Sequence, residues 1–371
     1  MKKNKKGISL IVLAITIVVI VVLAGTVIVQ ITKRNPMNDA KIARFKTNYQ
    51  DLKTELNDNV MKALNKNKTI KKEDINETTI NGMKKYMPSI SKSFASKVAI
   101  QNGNLVLKLD SLTSNEKDLA KDVLFNIQIK SNANNPYIPL GFKHITGTVD
   151  TGFVIKEEKR GDEFVWIPVN NISEFEKVIF NNEAFLSLTD IGEGFKTVYN
   201  SVKKYGGFYV SRYEIGKDGD KLVSKKGKTP YVNMSVNKQI EDAANIYHRS
   251  DIQSSLMYGT NYDSMVTFLI NTNPQLKSSI ITGSQSIGNY SNAIAKTGSN
   301  ESYKINNIYD LAGNVQEATL ETQDLNTIHP IVRGGSFNTS STYSIASRHS
   351  NSVDINTPDS NTGLRIMLYL K

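Results

Sequence analysis

The chain has 371 residues, no cysteine and a net charge of +11. That length accommodates two or three compact units with a large buried core, and the lack of cysteine excludes a disulfide framework, thiolate metal sites and a cysteine nucleophile. Residues 1–35 carry six Lys/Arg and no acid, residues 36–135 seventeen against eleven, and residues 136–371 twenty-three against twenty-four. The basic excess therefore lies ahead of the large C-terminal part, and with no basic patch interleaved with aromatics a nucleic-acid partner is not expected.

Residues 1–7, MKKNKKG, form a short basic leader, and the 24 residues from Ile8 to Ile31 carry no charge. As a helix this run spans about 36 Å, enough for a hydrocarbon core of roughly 30 Å. It is longer than the apolar segment of a cleavable secretory signal. A single transmembrane helix over 8–33 is expected, flanked beyond its end by Lys33 and Arg34, with the stronger leader cluster placing the N-terminus in the cytoplasm. The expected location is the cell membrane, single-pass, with the C-terminal bulk outside.

The join Lys5-Lys6-Gly7-Ile8-Ser9-Leu10-Ile11 resembles the processing site of type IV prepilins and pseudopilins. The resemblance implies cleavage between Gly7 and Ile8 by a prepilin peptidase, an N-terminus at Ile8 open to methylation, and pilin subunits as partners. The fifth residue after that point is Val12, where most pilins carry glutamate. In such filaments that carboxylate pairs with a neighbouring amino terminus in an apolar core, where an unpaired charge is costly. Its absence fits a minor or tip subunit, and a plain anchored protein outside any filament stays open.

After Pro36, apolar residues recur at Ile42, Phe45, Tyr49, Leu52, Leu56 and Val60, steps of three and four that predict an amphipathic helix to Lys66. It is read as an extended stalk over 36–66, and packing on its own globular unit is equally compatible. Residues 67–135 predict a small α+β spacer or head. A helix is expected over Ile75–Met87, then a hairpin whose strands flank Gln101-Asn-Gly-Asn104. A second helix is expected from Ser114 to Phe125, with Thr113 and Glu116 at capping-box spacing.

From residue 136 long helices give way to short apolar runs among Gly, Asn, Ser and aromatic residues, with helices expected at Ser173–Ile179 and Ser254–Leu269. Glu163-Phe-Val-Trp-Ile-Pro168, Gly206-Gly-Phe-Tyr-Val-Ser-Arg-Tyr-Glu214, Asn307-Ile-Tyr-Asp-Leu-Ala-Gly-Asn-Val-Gln-Glu-Ala-Thr319, Arg333-Gly-Gly-Ser-Phe337 and Gly363-Leu-Arg365 occur in that order. Together they resemble the landmarks of the formylglycine-generating-enzyme (sulfatase-modifying factor) superfamily. The resemblance covers about residues 136–371 and implies a variant of the C-type lectin fold, so the whole chain reads as α+β.

In that superfamily the Gly-Asn block commonly holds calcium. The resemblance places Asp310 and Glu317 as side-chain ligands, with the carbonyls of Gly313 and Val315. Six to eight oxygens around a tight Gly-Asn turn suit Ca²⁺. The competing reading makes the block a turn that fixes the core, with Glu317 pairing a buried arginine such as Arg333 or Arg365. Formylglycine generation uses copper held by two thiolates, so without cysteine no copper and no such activity are expected. The histidines His144, His248, His329 and His349 are scattered without ligand spacing, and no nucleophile elbow, phosphate loop or dinucleotide fingerprint is present.

The stretch between Phe337 and Gly363 is rich in Ser, Asn and Thr. In lectin-fold relatives it lines the exposed ligand face. Asn338, Tyr343, His349 and Asn351 are the expected ligand-binding surface, polar with one aromatic platform. The function expected is adhesion or binding of an extracellular glycan or protein by a non-catalytic lectin-like domain on a pilin-like protein. An enzyme of the superfamily with non-copper chemistry and a purely structural minor pilin remain as alternatives.

Overall fold

The computed structural model of the protein describes residues 36–180, 188–323, 329–350 and 354–371. Two compact units divide between Leu119 and Ala120.

The first unit opens with α1 (Pro36–Lys66). Its 3.6-residue period puts Phe45, Tyr49, Leu52, Leu56 and Val60 on one buried stripe, with Leu56 and Tyr49 fully buried. The stripe covers a hairpin of β1 (Val98–Gln101) and β2 (Asn104–Leu107), paired Val98↔Leu107 to Gln101↔Asn104. The Tyr49 hydroxyl donates to the Leu105 carbonyl at 2.8 Å. Asn102 and Gly103, at φ 51° and 65°, make the two-residue turn that an Asn-Gly pair favours. Between helix and hairpin lie two short helices, α2 (Ile80–Lys84) and α3 (Lys92–Ala95), capped by Thr79 and Ser91. Then α4 (Ser114–Leu119) starts on a reciprocal cap: the Thr113 N–H donates to Glu116 Oε2 at 3.0 Å and the Glu116 N–H to Thr113 Oγ1 at 3.4 Å.

The α+β expectation stands, with eight α-helices and seventeen strands among the described residues. Its transmembrane component does not, and neither does the single-pass membrane location drawn from it. No helix among the described residues is long and apolar enough to cross a membrane. The longest, α1, carries Lys41, Arg44, Lys46, Lys53 and Glu55 off its buried stripe, and charge of that density is incompatible with lipid. The 8–33 segment, and with it Gly7, Ile8 and Val12, lies outside the described residues.

The second unit runs through β3 (Phe142–Thr146), β4 (Val154–Glu157), β5 (Glu163–Pro168), β6 (Thr189–Asp190), α5 (Gly194–Tyr205) and β7 (Gly207–Ser211). The hairpin β8–β9 (Gly216–Asp218, Lys221–Val223), α6 (Val236–Ile246), β10 (Ile252–Leu256), α7 (Gly259–Thr272) and α8 (Lys277–Thr282) follow. Next come β11 (Lys304–Ile305), β12 (Ile308–Tyr309), β13 (Gln316–Thr322), β14 (Pro330–Arg333), β15 (Arg348–Ser350), β16 (Thr362–Gly363) and β17 (Ile366–Leu370). Six strands form one sheet in the order β10-β17-β7-β5-β4-β3, so the C-terminal strand lies inside it. In β5, Phe164, Val165, Trp166 and Ile167 are all fully buried, because both faces of that sheet are covered; an unbroken apolar run is what such a strand requires. The Trp166 indole N–H donates to the Ala133 carbonyl at 2.9 Å and the Ser250 hydroxyl to that of Ala120, so residues 120–135 belong to this unit. A second sheet, β15-β14-β13-β16 with β6 also on β13, holds the polar half of the core.

Candidate functional site

The Asn307–Thr319 block crosses from β12 to β13 through a tight loop. Asp310, Gly313 and Asn314 are all left-handed, at φ 57°, 68° and 59°. At Gly313 a Cβ would lie 2.1 Å from the Asn289 carbonyl oxygen, so only glycine allows the two backbones to meet. The loop turns Asn314 inward, where its Nδ2 donates to Glu214 Oε2 while the Val315 N–H donates to Glu214 Oε1 at 3.1 Å. Asp310 Oδ2 accepts from the Gly298 N–H at 2.7 Å.

Arg365 stands at the centre of these groups. Its Nε donates to Glu317 Oε1 at 2.6 Å, its Nη2 to the carbonyl of Tyr309 at 2.8 Å and weakly to that of Asp310, and its Nη1 to that of Ser211. Glu214, Glu317 and Arg365 are fully buried. Burial pushes Glu214 well above the usual carboxylate range, and neighbouring Asp310 adds to that push. Glu317 is raised for the same first reason, with Arg365 opposing. Glu317 Oε2 and the Tyr262 hydroxyl are both buried and face each other, outside strict hydrogen-bond geometry. They are near enough for the carboxylate to help hold the phenol protonated, after burial itself.

A second buried group of charges lies across the other sheet. Asp263, on α7, accepts from Arg333 Nη2 through Oδ1 at 2.8 Å and from Arg348 Nη2 through Oδ2. Glu321, on β13, accepts from Arg348 Nε at 3.2 Å and from Lys177 Nζ at 3.1 Å, and Lys177 also pairs Asp190 at 2.7 Å. Burial works to raise Glu321, but Arg333, Arg348 and Lys177 outweigh it and hold it below its ordinary value. Three cations here meet three carboxylates. The Arg333 guanidinium also packs 4.2 Å from the centre of the Tyr262 ring, which links the two groups.

This network pins the loop after β14. Arg333 Nε donates to the Ser347 carbonyl at 3.1 Å and its Nη2 to that of Ala346, and the Ala346 N–H donates to the Ile280 carbonyl. Above that buried floor the expected ligand residues emerge. Tyr343 is 37% exposed, the one exposed aromatic among the large hydrophobic side chains described. Its ring stacks on His349 with centroids 3.9 Å apart and planes 26° from parallel. Burial, and then Arg333, lower the His349 pKa to about 4, and its Nε2 is buried with no hydrogen-bond partner. Asn338 is exposed on the same loop and is held by Ser336 at 2.7 Å and Asn361 at 3.1 Å. Asn351 lies outside the described residues.

The structure thus brings Tyr343 and His349 together on the Asn338 loop, and joins Asp310 and Glu317 through Arg365, with Gly313 and Val315 on the turn between them. Sequence reasoning missed Glu214, Asp263, Glu321, Arg348 and Lys177. Glu214 closes a landmark block and Arg333 opens one, so a search for their partners was open; Asp263 sits in an apolar helix, where a charge is itself a signal. Among the described residues no three Asp, Glu or His side chains converge as a metal-binding group. Compared with known proteins, the chain matches no family model and no curated protein.

Proposed function

We propose that the second unit is a non-catalytic recognition module that presents the loop from Ser336 to Ser350 to a protein or glycan. One observation carries this reading: an exposed tyrosine ring is stacked on a histidine above a floor locked by buried ion pairs. A rigid ring exposes apolar area at little conformational cost, and the Ser, Thr and Asn side chains around it supply adaptable hydrogen bonds. His349 serves as the support beneath that ring. Its Nε2 faces inward, so it has no route to a proton on a bound ligand. The full chain and Tyr343→Ala are to be compared on arrays of immobilised glycans and extracellular-matrix proteins. The expected result is binding by the parent, at least tenfold lower binding by the variant, and equal thermal midpoints. Binding that survives in Tyr343→Ala overturns the reading.

For the Asp310–Glu317 turn the same reading makes Arg365 its built-in cation. A second reading has one observation in its favour: three buried carboxylates, those of Glu214, Asp310 and Glu317, are balanced by one guanidinium. A calcium ion held by Asp310, Glu317 and the carbonyls of Gly313 and Val315 would balance that charge. Chelator distinguishes the two. With arginine as the cation the thermal midpoint of the full chain is unchanged by chelation; with calcium it falls, and returns on addition of the ion.

A further inference from the structure

Away from both of these sites, a cleft of about 170 Å³ opens between the end of β5 and α7. Its rim carries the amides of Asn134, Asn170 and Asn271, the Thr267 hydroxyl, and the carboxylates of Asp150 and Glu174; its apolar lining includes Val149 and Phe268. None of the six polar side chains hydrogen-bonds or ion-pairs with another described residue. Asn134, Val169 and Asn170 also line a wider, more open cavity of about 690 Å³ that continues past Asn171 to Lys203 and Lys204. The two spaces are neighbours that share these three lining residues, and we treat them as the narrow and wide ends of one groove.

We infer that this groove binds a neutral oligosaccharide, with one pyranose ring in the narrow end and the following rings along the wide one. Sugar hydroxyls are donors and acceptors on adjacent carbons. Amides match them because each offers both an N–H pair and a carbonyl, and a carboxylate accepts from two neighbouring hydroxyls. Val149, half-buried in the wall, offers a small apolar contact to the C–H face of a pyranose, while Phe268 is buried in the core. Asp150 and Glu174 repel an anionic ligand at the narrow end, where no Lys or Arg lines the wall. A peptide would need an apolar anchor pocket or an open strand edge, and the lining provides neither. The inference stands apart from the Tyr343 loop, because no residue of that loop lines either cavity.

The probes are soluble neutral hexasaccharides of glucose, mannose and N-acetylglucosamine, titrated into the full chain by calorimetry. At least one is expected to bind with a Kd of about 1 mM or tighter. Asn170→Ala and Asn271→Ala should each weaken it at least tenfold, and Tyr343→Ala should leave it unchanged. All these side chains are exposed, so Trp166 fluorescence should report equal unfolding midpoints; Thr267→Ala is the substitute if either asparagine variant fails that control. Absence of saccharide binding at 10 Kd of that limit, about 10 mM, overturns the inference, as does capture of array peptides with no saccharide bound. Weakening by Tyr343→Ala but not by the groove variants places the sugar on the loop; that also overturns it while leaving the loop reading intact.

Discussion

In the first unit a helix buries Phe45, Tyr49, Leu52, Leu56 and Val60 against a hairpin, with one long-range tyrosine hydrogen bond. In the second, Arg333, Arg348 and Arg365 are among the largest fully buried side chains, and Asp263, Glu214, Glu317 and Glu321 are buried with them. The difference follows from geometry. A helix on a hairpin needs only one apolar stripe, and close apolar packing suffices. The second unit brings many irregular loops together, and their inward-facing carbonyls need donors that a purely apolar core cannot supply. Arginine forks satisfy several at once, and each imported cation then requires a carboxylate. Such a core holds loops in one arrangement, which is what a recognition surface needs.

The comparison breaks most sharply if the buried charges are dispensable. Asp263→Ala removes one of the two carboxylates that Arg333 and Arg348 share, leaving Glu321 to balance both, and should cost about 3–5 kcal/mol. Trp166, the chain's one tryptophan and fully buried in the second unit, reports that loss by fluorescence during denaturant unfolding. A loss under 1 kcal/mol would show that the network is not what fixes this core. In the first unit, Leu56→Ala removes a fully buried side chain and should cost about 2–4 kcal/mol. Amide exchange in residues 98–107 should accelerate accordingly, while the Trp166 midpoint stays put; a shared shift would mean that the two cores unfold together. A smaller effect, about 1 kcal/mol, is expected for Glu116→Ala, which removes half of the reciprocal cap on α4. It is read by the same amide exchange.

These contrasts also explain what was legible in the sequence. The helix from 37 to 66, the Asn-Gly hairpin and the Thr113–Glu116 cap are local patterns, and the structure contains each of them. Strand β5 was legible as an apolar run for the same reason. Failures cluster where local pattern is weak or tertiary contacts win. Ser173–Ile179 reads as helix but holds only a turn at Ile172–Glu174, because Lys177 and Val178 are drawn onto Glu321 and Asp263. Ser254 lies in β10 rather than in α7, whose helix begins at Gly259; the sheet pairing of 252–256 with the C-terminal strand overrides helical propensity. The helix expected over Ile75–Met87 shrinks to Ile80–Lys84, since Glu77 bonds to Ile100 instead. The pairing of Glu317 with Arg365 was named as one of two options, but Glu214 and Asp263 meet their partners across 100 and 70 residues, and no local period records such pairs.

The smallest effect is a pH dependence that the two units should not share. All four histidines lie beyond residue 136. His349 titrates near 4 when folded, below its ordinary value of 6.5. Between those values the unfolded chain binds more protons than the native one, so stability rises with pH there and is lost as pH falls through 6.5 towards 4. Because His349 is only half-buried, solvent screening reduces the contribution to about 0.5 kcal/mol between pH 7 and 5. Glu214 has the opposite sign: its raised folded value favours the native state below the ordinary carboxylate range, and that advantage fades as pH rises. Subtracting a His349→Phe variant, which keeps a ring under Tyr343, isolates the histidine from that background. The Trp166 midpoint of the parent should drop more than the variant's on going from pH 7 to 5. The His349→Phe substitution should change nothing in hydrogen exchange of the first unit over the same range. Equal pH slopes for parent and variant would mean that His349 is as free to ionise in the fold as in the unfolded chain, and that the floor beneath Tyr343 is wetter than its buried arginines imply.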